Sequence, residues 1–158
     1  MGKVRFHMTM TLDGYIPGPN QGPDKPFGEG TEHLNDWMFK LRCARELFGQ
    51  EGGETGASDD VFREGMANIG ASVMGRNMFG GGPGPWGRDP WNGWWGEDPP
   101  YHTPVFVLTH FPREPLVMQG GTVFNFVTNG IESALGQARA AAGGKEILIS
   151  GGANIIQH

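Results

Sequence analysis

The sequence is poor in the features that mark several large protein classes. It has one cysteine, Cys43, so no disulfide can form within the chain. No apolar run approaches the length of a membrane span, and nothing resembles a secretory signal. A disulfide scaffold and a membrane helix are therefore disfavoured, and a cytoplasmic protein is the expectation. Twelve Lys and Arg stand against 17 Asp and Glu, a net charge of -5, with no basic cluster able to neutralise a row of phosphodiesters. Nucleic acid is not an expected partner.

Missing motifs narrow the chemistry further. There is no GxGxxG after the first strand and no GxxxxGK[ST], so neither the usual dinucleotide fingerprint nor the ATPase phosphate loop is present. No GxSxG nucleophile motif occurs, which sets hydrolases aside. His7, His33, His102 and His110 show no HxxxH spacing and Cys43 has no CxxC partner, so no metal site is expected. Cys43 sits beside Leu41 and Ala44, as a reduced packing residue would.

What is abundant is glycine and proline: 28 and 12 residues, a quarter of the chain, which predicts long loops. A length of 158 residues suits a single domain spanning 1–158 with its own core. Residues 3–12 alternate Val4, Phe6, Met8, Met10 and Leu12 with polar or small neighbours, the period of a half-buried strand, and stop at the turn pair Asp13-Gly14. Residues 17–30, broken repeatedly by glycine and proline, read as a surface loop. Leu34, Trp37, Met38, Leu41, Ala44 and Phe48 recur at helical spacing, predicting one helix over 31–48 with Thr31 as N-cap and Gly49 beyond its end. Ser58-Asp59-Asp60 opens a shorter helix reaching about Asn68.

Strands are then expected at 71–74, 105–108, 123–127 and 146–149, with a helix starting at Asn129-Gly130 and ending at Gly143-Gly144. The run Val105-Phe106-Val107-Leu108 is apolar throughout, as in a strand buried on both faces. The alternation predicts an α/β fold with helices on both faces of a sheet.

Three segments at the carboxyl ends of these strands can carry chemistry. Ile147-Leu148-Ile149 runs into Gly151-Gly152 and an expected helix start at Ala153-Asn154-Ile155, a junction where a diphosphate can approach bare N–H groups. Glycine at such a turn also serves geometry alone, with about even weight. Met74-Gly75-Arg76-Asn77 places a glycine and a guanidinium after a strand; arginine suits bidentate phosphate recognition, although an isolated one is more often solvated. Thr109-His110 follows the buried strand with a hydroxyl and an imidazole. Their common position is where open α/β sheets bind nucleotides.

Met10-Thr11-Leu12-Asp13-Gly14-Tyr15-Ile16, Met74-Gly75-Arg76, Val107-Leu108-Thr109 and Ile149-Ser150-Gly151-Gly152-Ala153 together resemble, in order and spacing, the dihydrofolate-reductase-like family of the bacterial riboflavin-biosynthesis reductase (RibD) C-terminal domain type. The resemblance spans nearly the whole chain. It implies a three-layer fold with a twisted mixed sheet, and an NADPH-dependent reductase passing a hydride to a small heterocyclic substrate of riboflavin-precursor, pterin or related type. Cofactor duties would fall to Gly75, Arg76, Asn77, Thr109, His110, Gly151, Gly152 and Ala153. The substrate and nicotinamide pocket would use Met10, Asp13, Gly14 and Tyr15. Relatives often carry arginine where this chain has His110, so selectivity for the 2′-phosphate would rest on Arg76. Members usually continue past the glycine pair with a full helix and further strands, whereas this sequence stops at Gln157-His158.

Protonating a ring or imine nitrogen needs an acid, and Asp13 is the candidate; the competing role, favoured two to one, is a turn in which its carboxylate binds nearby N–H groups. Glu32 and Asp36 lie roughly where folate reductases hold a substrate carboxylate. Residues 80–104 contain four of the five tryptophans, predicting either a substrate-side lid or a contact in a homodimer, with the contact slightly favoured. The alternative function is a non-catalytic flavin- or pterin-like ligand binder on the same fold.

Overall fold

The computed structural model describes residues 2–16, 18–20, 24–25, 27–152 and 155. In chain order its elements are β1 (Val4–Phe6), α1 (Asp36–Lys40), α2 (Arg42–Leu47), α3 (Ala57–Met66), β2 (Ile69–Gly75), α4 (Arg76–Phe79), β3 (Pro104–Leu108), β4 (Leu116–Val117), β5 (Val123–Val127), α5 (Gly130–Ala141) and β6 (Glu146–Ser150). They fall into two units, one of Met1–Phe6 with Asn68–His158, the other of His7–Ala67.

The first unit is a six-stranded sheet of order β1-β6-β2-β3-β5-β4. All neighbours run parallel except β4, which is antiparallel to β5, so the sheet is mixed as expected. Successive side chains on a strand face opposite sides. Ala71, Val73, Phe106, Val127, Ile147 and Ile149 meet α5 on one side, where Ala134 and Ala138, four residues apart and fully buried, let the helix lie close to the strands. On the other side Met74, Val105, Val107 and Phe124 pack with Phe79 of α4 and with Trp86, Trp95 and Tyr101 from the loop that follows. Covering both faces explains the continuous apolar run in β3. The result is the three-layer α/β arrangement implied by the resemblance.

The tryptophan loop is thus part of the core of its own chain, a role the sequence did not suggest. Trp95 stacks on Phe124 with ring centroids 5.7 Å apart, and Trp86 meets Phe79 and Phe126 edge-on. Its far end is fixed by buried Thr122, whose hydroxyl donates to the Pro99 carbonyl and accepts the His102 N–H. Trp91 and Trp94 stay exposed.

Two sequence expectations fail. The first strand ends at Phe6 rather than Leu12, and Val4, Phe6, Met10 and Leu12 are exposed instead of core. Alternation alone could not show that β1 is an edge strand, paired among the described residues with β6 alone. The helix expected over 31–48 is broken at Leu41, whose backbone is extended at φ -65 and ψ 144. The glycine-rich segment that follows α2 returns past this point as an isolated bridge at Glu54: Arg42 N–H donates to the Glu54 carbonyl at 2.9 Å, and Glu54 N–H to the Lys40 carbonyl at 2.7 Å. A bond pair from distant residues replaced the local helical ladder. Thr31 caps no helix; its hydroxyl bonds to the Phe27 carbonyl and accepts the Gly18 N–H, closing the preceding loop.

Candidate functional site

In the first unit β6, β2 and β3 are consecutive parallel neighbours, so their carboxyl ends share one edge. Met74 pairs with Ser150 and Gly75 with Leu108, which brings Gly75, Thr109 and Gly151 together there. A Cβ built on Gly151 would stand 3.1 Å from Ile155 Cγ2, 3.9 Å from Met78 Sδ and 4.0 Å from the Gly75 nitrogen. Gly151 has φ 140, a conformation that other residues rarely adopt. Gly75 is different: its backbone is extended at φ -81 and ψ 158, and an added Cβ would meet nothing within 4 Å. The fold of the described residues does not require this glycine, and its absent side chain leaves the strand end open. Gly152 likewise faces open space. Ala153, the remaining expected cofactor contact in this segment, lies outside the described residues.

Arg76 begins α4; it is half-buried, and no carboxylate pairs with it among the described residues. Its guanidinium lies over Trp86, 3.1 Å from the ring centroid, while Nε donates to the Gly80 carbonyl at 3.0 Å and Nη2 to Gly81 at 3.3 Å. Nη1 is buried with no hydrogen-bond partner among the described residues. Burial, and then the nearby charge of Arg113, pull the Arg76 pKa below its ordinary value. Arg113, which the sequence gave no reason to single out, sits 4.9 Å from the same Trp86 ring centroid and donates to the Trp91 carbonyl and Asn92 Oδ1. Two cations therefore share one indole, with no carboxylate paired to either among the described residues.

A four-residue helix leaves its last carbonyls without intrahelical donors. Here indoles supply them: Trp91 Nε1 donates to Phe79 at 2.8 Å and Trp94 Nε1 to Met78 at 3.0 Å. Gly80 permits it, since its φ is 88 and a Cβ would stand 2.7 Å from Trp94 Nε1. The aromatic loop thus fixes the segment carrying Gly75, Arg76 and Asn77, of which Asn77 is exposed. Thr109 is buried, and its hydroxyl accepts the Phe111 N–H at 3.2 Å in a local turn; His110 is exposed beside it.

In the second unit, the Thr11–Tyr15 turn is closed by Thr11. Its hydroxyl accepts the Tyr15 N–H at 2.9 Å and its carbonyl accepts the Gly14 N–H, also at 2.9 Å. The Asp13 carboxylate, expected to do this, is exposed and makes no hydrogen bond among the described residues. Met10, Gly14 and Tyr15 are exposed as well. Asp36 is engaged with His33 at 2.7 Å, and hydrogen bonds to the backbone of Glu32 and Gly30 hold the Glu32 carboxyl below its usual range.

Cys43 is buried, and burial followed by its contact with Asp59 pushes the thiol pKa up to about 11, so it is inert as a nucleophile near neutrality. No cluster of three or more His, Cys, Asp or Glu able to hold a metal occurs among the described residues. None of their helices is long and apolar enough to cross a membrane.

No curated protein matches the chain. The family model of the RibD C-terminal domain matches residues 2–158, and the chain belongs to this family of riboflavin-biosynthesis reductase domains, oxidoreductases that draw on a nicotinamide cofactor.

Proposed function

We propose that the protein is an NADPH-dependent reductase acting on a small heterocyclic substrate. The observation that carries this is the strand edge left open at Gly75 and Gly152, with Gly151 between them, next to a guanidinium whose Nη1 is buried without a hydrogen-bond partner among the described residues. Bare backbone at Gly75, Gly151 and Gly152 suits the close approach of a diphosphate. Arg76, with His110 on the adjoining strand end, suits a terminal phosphate such as the 2′-phosphate of NADPH. Asn77, Thr109 and Ala153 complete the proposed cofactor contacts. When bound, the cofactor supplies the hydride; the chain's own residues orient the partners and exclude water.

Met10, Gly14 and Tyr15 are the proposed ring contacts, and Asp13, whose carboxyl is not committed to its turn, is the proposed proton donor to a substrate nitrogen. A homodimer is proposed through exposed Trp91 and Trp94.

The test is direct binding of NADPH and of NADH, followed by NADPH oxidation with dihydrofolate, an aminouracil ribosylamine and flavin analogues. Tighter binding of NADPH with turnover of one of these supports the proposal. Tight binding without turnover of the whole panel would instead identify a non-catalytic binder, and absence of binding to either nucleotide would sink both.

A further inference from the structure

The sequence holds two Asn-Gly pairs, Asn92-Gly93 and Asn129-Gly130. In such a pair no Cβ shields the glycine nitrogen, which can attack the asparagine side-chain carbon and close a five-membered ring. The two pairs have different surroundings. Asn129 is exposed at the start of α5, and its side chain makes no capping hydrogen bond. Asn92 is exposed too, but Arg113 reaches it: Nη2 donates to Asn92 Oδ1 at 2.6 Å while Nη1 donates to the Trp91 carbonyl at 2.5 Å. A guanidinium only donates, so the atom that meets it is the amide oxygen and not the amide nitrogen.

The segment around the pair is pinned. Trp91 and Trp94, on either side of it, are tied to α4 through their indole nitrogens. Gly93 lies at φ 98, and a Cβ there would stand 3.0 Å from Trp95 Cε3, so the packing itself calls for glycine at this place. The Gly93 N–H donates to no backbone carbonyl among the described residues. An unshielded nitrogen thus adjoins a carbonyl whose oxygen is held by a cation, the arrangement that stabilises charge developing on oxygen in acyl transfer.

We propose that Asn92 is a site of self-modification, with Gly93 as the nucleophile and Arg113 as the activating group. The Gly93 nitrogen loses its proton and bonds to Asn92 Cγ; the bond from Cγ to the side-chain nitrogen breaks, and that nitrogen leaves with the proton as ammonia. Water then adds to one of the two carbonyls of the cyclic imide and opens it, leaving a carboxylate at position 92 on the side chain or, by the other opening, in an isoaspartyl link. Neither guanidinium on Trp86 has a carboxylate partner among the described residues, and the side-chain product supplies one to Arg113.

Peptide mapping by mass spectrometry, on the whole chain incubated near neutral pH, tests it. Position 92 should convert about ten-fold faster in the native protein than in guanidinium-denatured protein, because a charge-assisted donor to a developing oxyanion is worth at least that. Position 129 is the internal reference and should convert no faster native than denatured. Conversion should quicken as pH rises, since the nitrogen attacks only after losing its proton. Arg113→Met should bring position 92 down to the denatured rate or below it, with circular dichroism showing that the variant folds, and Arg113→Lys should keep part of the acceleration. Asn92→Asp, the side-chain product made genetically, should raise Tm at pH 7 by about 2–4 °C. Native conversion at position 92 no faster than in denatured protein, a native rate indifferent to Arg113→Met, or a lower Tm for Asn92→Asp overturns the inference. None of these readouts depends on the reductase proposal.

Discussion

The carboxylate of Asp59, in α3, accepts the backbone N–H of Cys43 at 2.7 Å and so caps the start of α2 from a different helix. No side chain of α2's own N-terminus makes a capping bond, and Asp59 is only 4% exposed. Hydrogen bonds from Cys43 side chain and backbone, ahead of the contact with Arg63, hold its pKa below the ordinary value. A lowered folded-state pKa stabilises the native form above the unfolded value, and that contribution is lost as pH falls through the folded one. The wild type should therefore lose stability steadily below about pH 4. Asp59→Ala, which leaves no acceptor for that N–H, should lower Tm at pH 7 by roughly 2–4 °C, the effect of one lost cap in a chain of this size. It should also flatten the acid limb, and thermal melts across the acid range compare the two.

Burial, and after it the same contact, controls the thiol. With its pKa raised to about 11, Cys43 is neutral in the folded chain at pH values where an unfolded thiol ionises. Its contribution to stability is present below about pH 8.5 and is lost as pH rises from there towards 11. A disulfide reagent at pH 8 should label native protein slowly and denatured protein at once. Cys43→Ala should remove the part of the alkaline loss due to the thiol. Rapid native labelling would mean that the α2–α3 contact opens readily.

The sequence made β2, β3, β5 and β6 legible because each is a short, largely apolar run bounded by turn residues, whereas two-residue β4 left no signal. Val123–Val127 and the α5 termini at Asn129-Gly130 and Gly143-Gly144 fall where the pattern put them. That Gly75, Thr109 and Gly151 follow the carboxyl ends of strands was legible too, whereas the adjacency of those strands, β6-β2-β3, leaves no local signal. The breaks came where distant partners overrode local periodicity, as at Leu41 and Glu54. The destination of the tryptophans was not legible either, because an indole capping α4 leaves no spacing signal. Nor does spacing show that Thr11 rather than Asp13 closes the first turn.

Gly80 should tolerate little. Its φ is 88, and a Cβ there would stand 2.7 Å from Trp94 Nε1 and 2.9 Å from Trp91 Nε1, the two groups that cap α4. Gly80→Ala combines backbone strain with displacement of both indoles, and about 2–4 kcal/mol of destabilisation is expected in urea unfolding. Tryptophan emission should shift to the red as Trp91 and Trp94 detach. Gly82→Ala provides the contrast: its φ is also positive, at 69, but nothing lies within 4 Å of the added Cβ. Only the strain remains there, about 1 kcal/mol.

Arg76→Met separates holding a phosphate from holding a loop. Met keeps much of the apolar stem over Trp86 but removes every donor, including the bonds to the Gly80 and Gly81 carbonyls. If Nη1 meets the phosphate that distinguishes NADPH from NADH, losing a charge-assisted hydrogen bond should raise the Kd for NADPH by about ten- to a hundred-fold. The Kd for NADH should barely move. A purely structural Arg76 would loosen the loop and weaken both nucleotides alike, with a fall in Tm of the same origin. The ratio of the two dissociation constants is therefore the informative quantity, because damage to the loop cancels from it and the phosphate contact does not. An unchanged ratio would remove Arg76 from the cofactor site and leave it as the clamp on the end of α4.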